Sequence, residues 1–313
     1  MIFLLAFFFA SELDLTSKWI SDADLARVAR DQDLRKLDLS HTRITDAGLL
    51  RLAPLQHVRE LNLYYAEYMT EDGIAHLRDW KELERLNLRG TRVTSKVFEH
   101  LAHFTNLKSL DLAFTQIDDE GFEHLSGLTR LEHLAIGGNR LNGSCLPLLK
   151  LLPALKDLDV GGIQRVDSGL WGLPLTEQNL SRISELKQLR RLTLAAATLE
   201  NAATDRPERV PERAELRDLS MLRSLAKLEY LDLTRQPILA ETIRSLAGLS
   251  NLRELRLGLA AKLDDAAVEP LLALKSLRSL YLTGSRITPA SLDRLKPLIS
   301  ASTAASPSPT PQP

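Results

Sequence analysis

The sequence predicts an α/β solenoid built from repeats of one strand and one short helix. Three observations carry this. The first is spacing. Copies of one stretch begin at Leu34, Val58, Leu83, Leu107, Leu131 and Leu155, at intervals of 24, 25, 24, 24 and 24 residues. The second is a change of apolar period inside each copy. In Leu34–His57, Leu37 and Leu39 alternate with Lys36, Asp38 and Ser40, which is strand spacing with one face buried. Ile44, Leu49, Leu52 and Leu55 then follow at helical spacing. The third is punctuation. Thr45 precedes the helical run and Asp46 opens it, as suits first-turn amides that lack partners and carry partial positive charge. One such unit cannot bury its own apolar face, whereas stacked copies can.

Further copies start at Leu189, Leu228, Leu252 and Leu277, and a degenerate one near Ala10 carries Leu13 and Leu15. The pattern L-x-x-L-x-L-x-x-T-x-I-T-D-x-G-L resembles the leucine-rich repeat family. The Ile44–Leu49 run, ITDAGL, is most similar to its cysteine-containing, F-box-type subtype, with Thr42, Thr91, Thr115 and Asn139 where that subtype places Cys or Asn. A Thr hydroxyl can also bond the loop backbone. The resemblance implies a right-handed leucine-rich repeat solenoid, a horseshoe with a concave parallel β-sheet and convex short helices. It covers about Ala10 to Ile299 and is nearly silent on function.

Taken in order, residues 1–10, MIFLLAFFFA, form an apolar segment. It has the apolar centre of a secretory signal without the preceding basic residues. A signal remnant and an N-terminal cap both fit, so cytoplasmic and secreted or cell-envelope locations stay open. The solenoid is read as one domain over 11–299. In its regular repeats the helix-capping column runs Thr45, Thr70, Thr94, Asp118, Asn142. A compact column runs Gly48, Gly73, Val97, Gly121, Cys145. The repeats from Leu155 and Leu189 are swollen to 34 and 39 residues. Their extra residues fall near 164–175, before a helix near Thr176–Leu186, and near 199–211, before a helix near Glu212–Leu225. Two adjacent inserts are expected on one rim. The last 14 residues, 300–313, are rich in Pro, Ser and Thr and are expected to be disordered.

Composition narrows the function. With 40 basic and 41 acidic residues, the chain has no bulk attraction for nucleic acid, and none is expected as a partner. Membrane association is expected only through the N-terminal segment. A single cysteine, Cys145, rules out an intrachain disulfide and reads as a small buried thiol. Nucleophile-elbow, zinc-protease and phosphate-loop motifs are all absent from the sequence. The Gly137-Gly138 and Gly161-Gly162 pairs read as tight turns at strand ends. His76, His100 and His124 share a helix position in successive repeats, without carboxylates at ligand spacing. No cofactor and no metal is expected.

What remains is surface. The outward strand column reads Asp14, Asp38, Asn62, Asn87, Asp111, Ala135, Asp159, Thr193, Asp232, Arg256, Tyr281. By resemblance its Asp/Asn ladder is structural. The strand-end columns hold Tyr64, Tyr65, Arg89 and Phe114, flanked by His41 and Asp111. Glycines and alanines follow as an open floor, with Trp171 of the first insert near its far end. Aromatic and Arg side chains are the usual interface anchors. The expected function is a non-enzymatic protein-interaction module binding a partner protein there and on the rim inserts. Two alternatives stand beside it: a substrate-recognition adaptor of a ubiquitin-ligase-like complex, and a bacterial surface protein that binds glycan or cell wall.

Overall fold

The computed structural model describes residues 11–166, 169–195 and 218–298. The apolar segment 1–10, the insert at 199–211 and the tail at 300–313 lie outside the described residues. The chain groups into two compact units, Met1–Arg182 and Ile183–Pro313.

In the first unit each repeat contributes a three-residue strand: β1 Glu12–Asp14, β2 Lys36–Asp38, β3 Glu60–Asn62, β4 Arg85–Asn87, β5 Ser109–Asp111, β6 His133–Ala135 and β7 Asp157–Asp159. Each pairs in parallel with the next, so Asp14, Asp38, Asn62, Asn87, Asp111, Ala135 and Asp159 form one column. The inward member of each strand is a leucine; Leu37, Leu61, Leu86, Leu110, Leu134 and Leu158 are at most 2% exposed. Strands this short have few backbone hydrogen bonds each, so the stacked leucines hold the register. A slip of one residue would turn every leucine outward.

The helical side supplies the other half of the core. α1 (Leu25–Val28), α2 (Asp46–Leu52), α3 (Glu71–Ala75) and α4 (Val97–Leu101) give way to 3-10 helices at Phe122–Gly127 and Leu146–Leu151. Each is far too short to be stable alone, so packing holds it. Trp80, Phe98, Phe104 and Phe122 fill the space between sheet and helices, with the Phe98 and Phe122 rings 4.6 Å apart.

The repeats are also tied along the capping column. Thr45 and Thr70 cap α2 and α3 as the sequence predicts, accepting from Ala47 and Asp72 N–H. Their own N–H and hydroxyl groups donate backwards, to Asp22 from Thr45 and to Asp46 from Thr70, at 2.7–2.9 Å. Asp22, just ahead of α1, and Asp46, in the first turn of α2, therefore join neighbouring repeats. A Cβ at Gly48 or Gly73 would stand 2.6 or 2.5 Å from a carboxylate oxygen of Asp22 or Asp46, so these two positions are small to admit the preceding repeat's acid. At Cys145 the same acid position is Asp119, which accepts the Cys145 N–H at 3.0 Å.

The first insert forms an antiparallel hairpin, β8 (Gln164–Val166) with β9 (Gly169–Trp171), before α5 (Glu177–Ser184). The second unit repeats the strand pattern with β10 (Arg191–Thr193), β11 (Tyr230–Asp232), β12 (Glu254–Leu257) and β13 (Ser279–Leu282), again parallel and in register. It carries α6 (Ala240–Ser245), α7 (Val268–Leu272) and α8 (Pro289–Leu295).

Candidate interaction surface at the strand ends

Where each strand of the first unit ends, the chain must turn from the sheet towards the helices while keeping one more rung of the parallel ladder. A left-handed residue does both. Ser17 (φ 55°), His41 (φ 54°), Tyr65 (φ 51°), Gly90 (φ 73°), Phe114 (φ 56°), Gly138 (φ 71°) and Gly162 (φ 108°) occupy this corner in successive repeats. Their N–H groups still donate across: His41 to Tyr64 O and Tyr65 to Arg89 O at 2.8 Å, Phe114 to Gly137 O at 2.9 Å. Glycine adopts this conformation freely, whereas an L side chain costs about 1 kcal/mol or more. Three of these corners nevertheless carry large side chains.

Those side chains meet. The His41 ring stacks on Tyr65 at 5.8 Å and meets Tyr64 edge-on at 5.1 Å; Tyr64 and Tyr65 stand edge-to-face at 4.7 Å. The Tyr65 ring lies over Gly90, where a Cβ would come within 2.8 Å of it. Next along the column, the Arg89 guanidinium sits over the Phe114 ring at 4.7 Å and pairs with Asp111 at 3.3 Å. The two groups join through the Tyr65–Arg89 backbone bond. Six of the seven residues expected from sequence are thus contiguous. Trp171 is half-buried on β9, and none of the described contacts joins it to the cluster.

The expected open floor is filled. The Phe114 ring covers both Gly138 and Gly162, and a Cβ on Gly137 would lie 1.5 Å from the Gly161 carbonyl oxygen. These positions are small because a ring or a neighbouring backbone occupies the space.

Electrostatically the patch is graded. The ladder acids and amides are structural, each accepting the N–H two residues on: Asp38 from Ser40 at 2.8 Å, Asn62 from Tyr64 at 3.1 Å, Asn87 from Arg89 at 3.0 Å, Asp111 from Ala113 and Asp159 from Gly161 at 2.8 Å. Burial pushes the Tyr65 hydroxyl up. Burial also raises Asp111, against the opposing pull of Arg89. Asp159, half-buried beside Ala135, is pushed up to about 7, chiefly by burial. Burial likewise drives the Cys145 thiol far above its ordinary range, which suits a packing role. His76 and His124 are exposed, and no group of three or more His, Cys, Asp or Glu among the described residues is arranged to hold a metal ion.

Two surface groups were not anticipated. On the second unit's sheet, Arg191 lies over the Tyr230 ring at 3.7 Å, with Arg256 near both Tyr230 and Tyr281. On the strand-to-helix loops of the first unit, Arg43 lies over Trp19 and Arg92 over Tyr68. Each pair is joined across neighbouring repeats, so reading one repeat at a time hides it; aligning residues one period apart would have exposed it.

Comparison with known proteins agrees with this geometry. The leucine-rich repeat model matches residues 30–53 and 103–126. No curated protein sequence matches the chain. Among solved structures, an internalin (InlF) of Listeria monocytogenes is similar over 93% of this chain and 73% of its own, at 23% identity and a TM-score of 0.62. The mouse RP105/MD-1 complex is similar over 92% of this chain and 46% of the matched chain, at 19% identity and a TM-score of 0.55. A leucine-rich repeat protein of Leptospira interrogans matches at 22% identity, 87% and 72% coverage and a TM-score of 0.49. The chain therefore has the leucine-rich repeat fold, with one strand and one short helical segment to each regular repeat.

Proposed function

We propose that this protein is a non-enzymatic protein-interaction module whose partner docks on His41, Tyr64, Tyr65, Arg89, Phe114 and Asp111. One observation carries the reading. At a corner that other repeats fill with glycine, Ser17, Arg235 or Leu259, His41, Tyr65 and Phe114 hold a left-handed backbone at φ 51–56° while joining Tyr64 and Arg89 in one contiguous group of aromatic and Arg side chains. Such local cost is kept where the side chain is needed. Tyr, Phe and Arg grouped on one surface are the residue types that dominate interfaces. The structural likenesses support the fold that presents the patch; the patch itself supports the binding. The ITDAGL run at Ile44–Leu49 further supports placing the repeats in the cysteine-containing subtype.

The test is a matched capture experiment with parent and Tyr65→Gly/Arg89→Ala protein as bait, each checked for native circular dichroism. Partners retained by the parent and lost by the variant establish the patch. Equal retention by both would move the site elsewhere.

A further inference from the structure

We propose that the loop edge formed by Trp19, Arg43, Tyr68 and Arg92 is a second docking surface, which takes an acidic segment of a partner protein. These residues sit in equivalent loops of four successive repeats. Trp19 is 90% exposed and Tyr68 46% exposed. The Arg43 guanidinium stands 5.2 Å from the Trp19 ring centre and that of Arg92 5.7 Å from Tyr68. The same loops continue to an exposed Arg140.

The contrast with the sheet face shows what the arginines lack. On the sheet, basic groups are matched by acids across the repeats: Lys36 with Glu12, Arg85 with Glu60, Arg89 with Asp111, Lys108 with Glu84, Lys156 with Glu132. At the loop edge, no carboxylate among the described residues lies in ion-pair reach of Arg43, Arg92 or Arg140. Of the acids in these loops, Glu67 beside Tyr68 is exposed and would oppose an acidic ligand, whereas three others turn inward. Asp22 and Asp46 are taken by Thr45 and Thr70, and Glu71 accepts the Thr94 hydroxyl at 2.8 Å. Arginine is suited to carboxylates through its forked donors, and it can keep its aromatic contact while using them. Arg43 and Arg92 are two repeats apart, roughly 10 Å at the sheet spacing. An extended chain rises ~3.3 Å per residue, so carboxylates three residues apart reach both. Exposed Tyr68 then offers apolar contact between the charges, and Trp19 offers it on the far side of Arg43.

The surface is separable from the strand-end patch. A fluorescein-labelled poly-glutamate peptide is titrated against the full chain, read by anisotropy and by tryptophan emission. Trp80 is fully buried, and a Trp19→Phe variant shows how much of the emission change belongs to Trp19. Saturable binding is expected, weakening as salt screens the charges. Arg43→Gln/Arg92→Gln should lower affinity at least tenfold, Glu67→Gln should tighten it, and Tyr65→Gly/Arg89→Ala should leave it unchanged. Unaltered affinity in the loop-edge variant, no emission change from Trp19, or no binding would overturn the proposal. Equal binding of a heparin oligosaccharide, lost in the same variant, would overturn its assignment to a protein partner. Because the strand-end variant is carried alongside, failure here is distinct from failure of the proposed function.

Discussion

Two columns of the first unit lie a few residues apart and use their side chains in opposite ways. The ladder column, Asp38 to Asp159, spends its polar atoms on the chain itself; Asn62 even donates sideways to Asp38 at 2.7 Å. The corner column, His41 to Gly162, mixes large rings with glycines, and its half-buried Tyr65 and Phe114 rings cover the glycines of the repeats that follow them. A residue whose atoms are all used internally specifies the fold. Under the proposed function, a ring held in a costly conformation at the strand end serves a partner rather than the fold. Changes in the two columns should therefore separate stability from binding.

The largest expected effect is on the fold side. Gly137→Ala would place a Cβ 1.5 Å from the Gly161 carbonyl oxygen. Backbone, not a flexible side chain, has to yield, and the predicted loss is about 3 kcal/mol in urea unfolding. A midpoint within error of the parent would show that these turns slide freely.

Next comes Asn139→Ala. Asn139 is fully buried and donates to the Leu112 and Ile136 carbonyls at 2.7 and 2.9 Å while meeting the Thr115 hydroxyl at 3.0 Å. Removing it strands buried acceptors, at about 2 kcal/mol. Asn139→Thr should recover part of this, because Thr42 and Thr91 each bond a corner carbonyl at 2.6 Å.

The corner side should behave differently. Tyr65→Gly removes the ring but relieves the backbone, whereas Tyr65→Ala removes the ring and keeps the left-handed cost. The glycine variant is predicted to be more stable than the alanine variant by about 1 kcal/mol, while both lose the partner alike. If alanine were the more stable, the corner would not be conformationally costly, and the main support for the binding patch would go.

Much of this comparison was readable beforehand. The 24- and 25-residue spacing assigns the strands of the regular repeats their register, so that part of the ladder column could be written from sequence and the pairing reproduces it. Thr45 and Thr70 were recognisable caps because capping is local. What could not be read depends on neighbours in space. The helices at Phe122 and Leu146 tighten to 3-10 form, the first entered through Gly121 at φ 80° and the second carrying Pro147 in its first turn. The insert at Gln164 pairs with itself as a hairpin, which its mixed composition did not announce. Phe114 lies over glycines one and two repeats ahead, a contact visible only once the repeats are stacked.

The smallest predicted effect sharpens the ladder column itself. Asp38 has an amide beside it in Asn62, but Asp159 has Ala135. With one backbone donor and no amide from that neighbour, Asp159 is raised from 3.8 to about 7 by burial. Between these values the native state holds a proton that the unfolded chain has released. Stability from this group is therefore fully present below pH ~4 and is lost as pH rises towards 7. Urea midpoints measured from pH 4 to 8 should fall across that window in the parent, beyond what other groups impose, and Asp159→Asn should remove that part of the fall. Ala135→Asn should also flatten it, by giving the carboxylate the sideways donor that Asp38 enjoys. If Asp159→Asn left the profile unchanged, burial would not be the controlling influence at this position, and the gap at Ala135 would carry no electrostatic consequence.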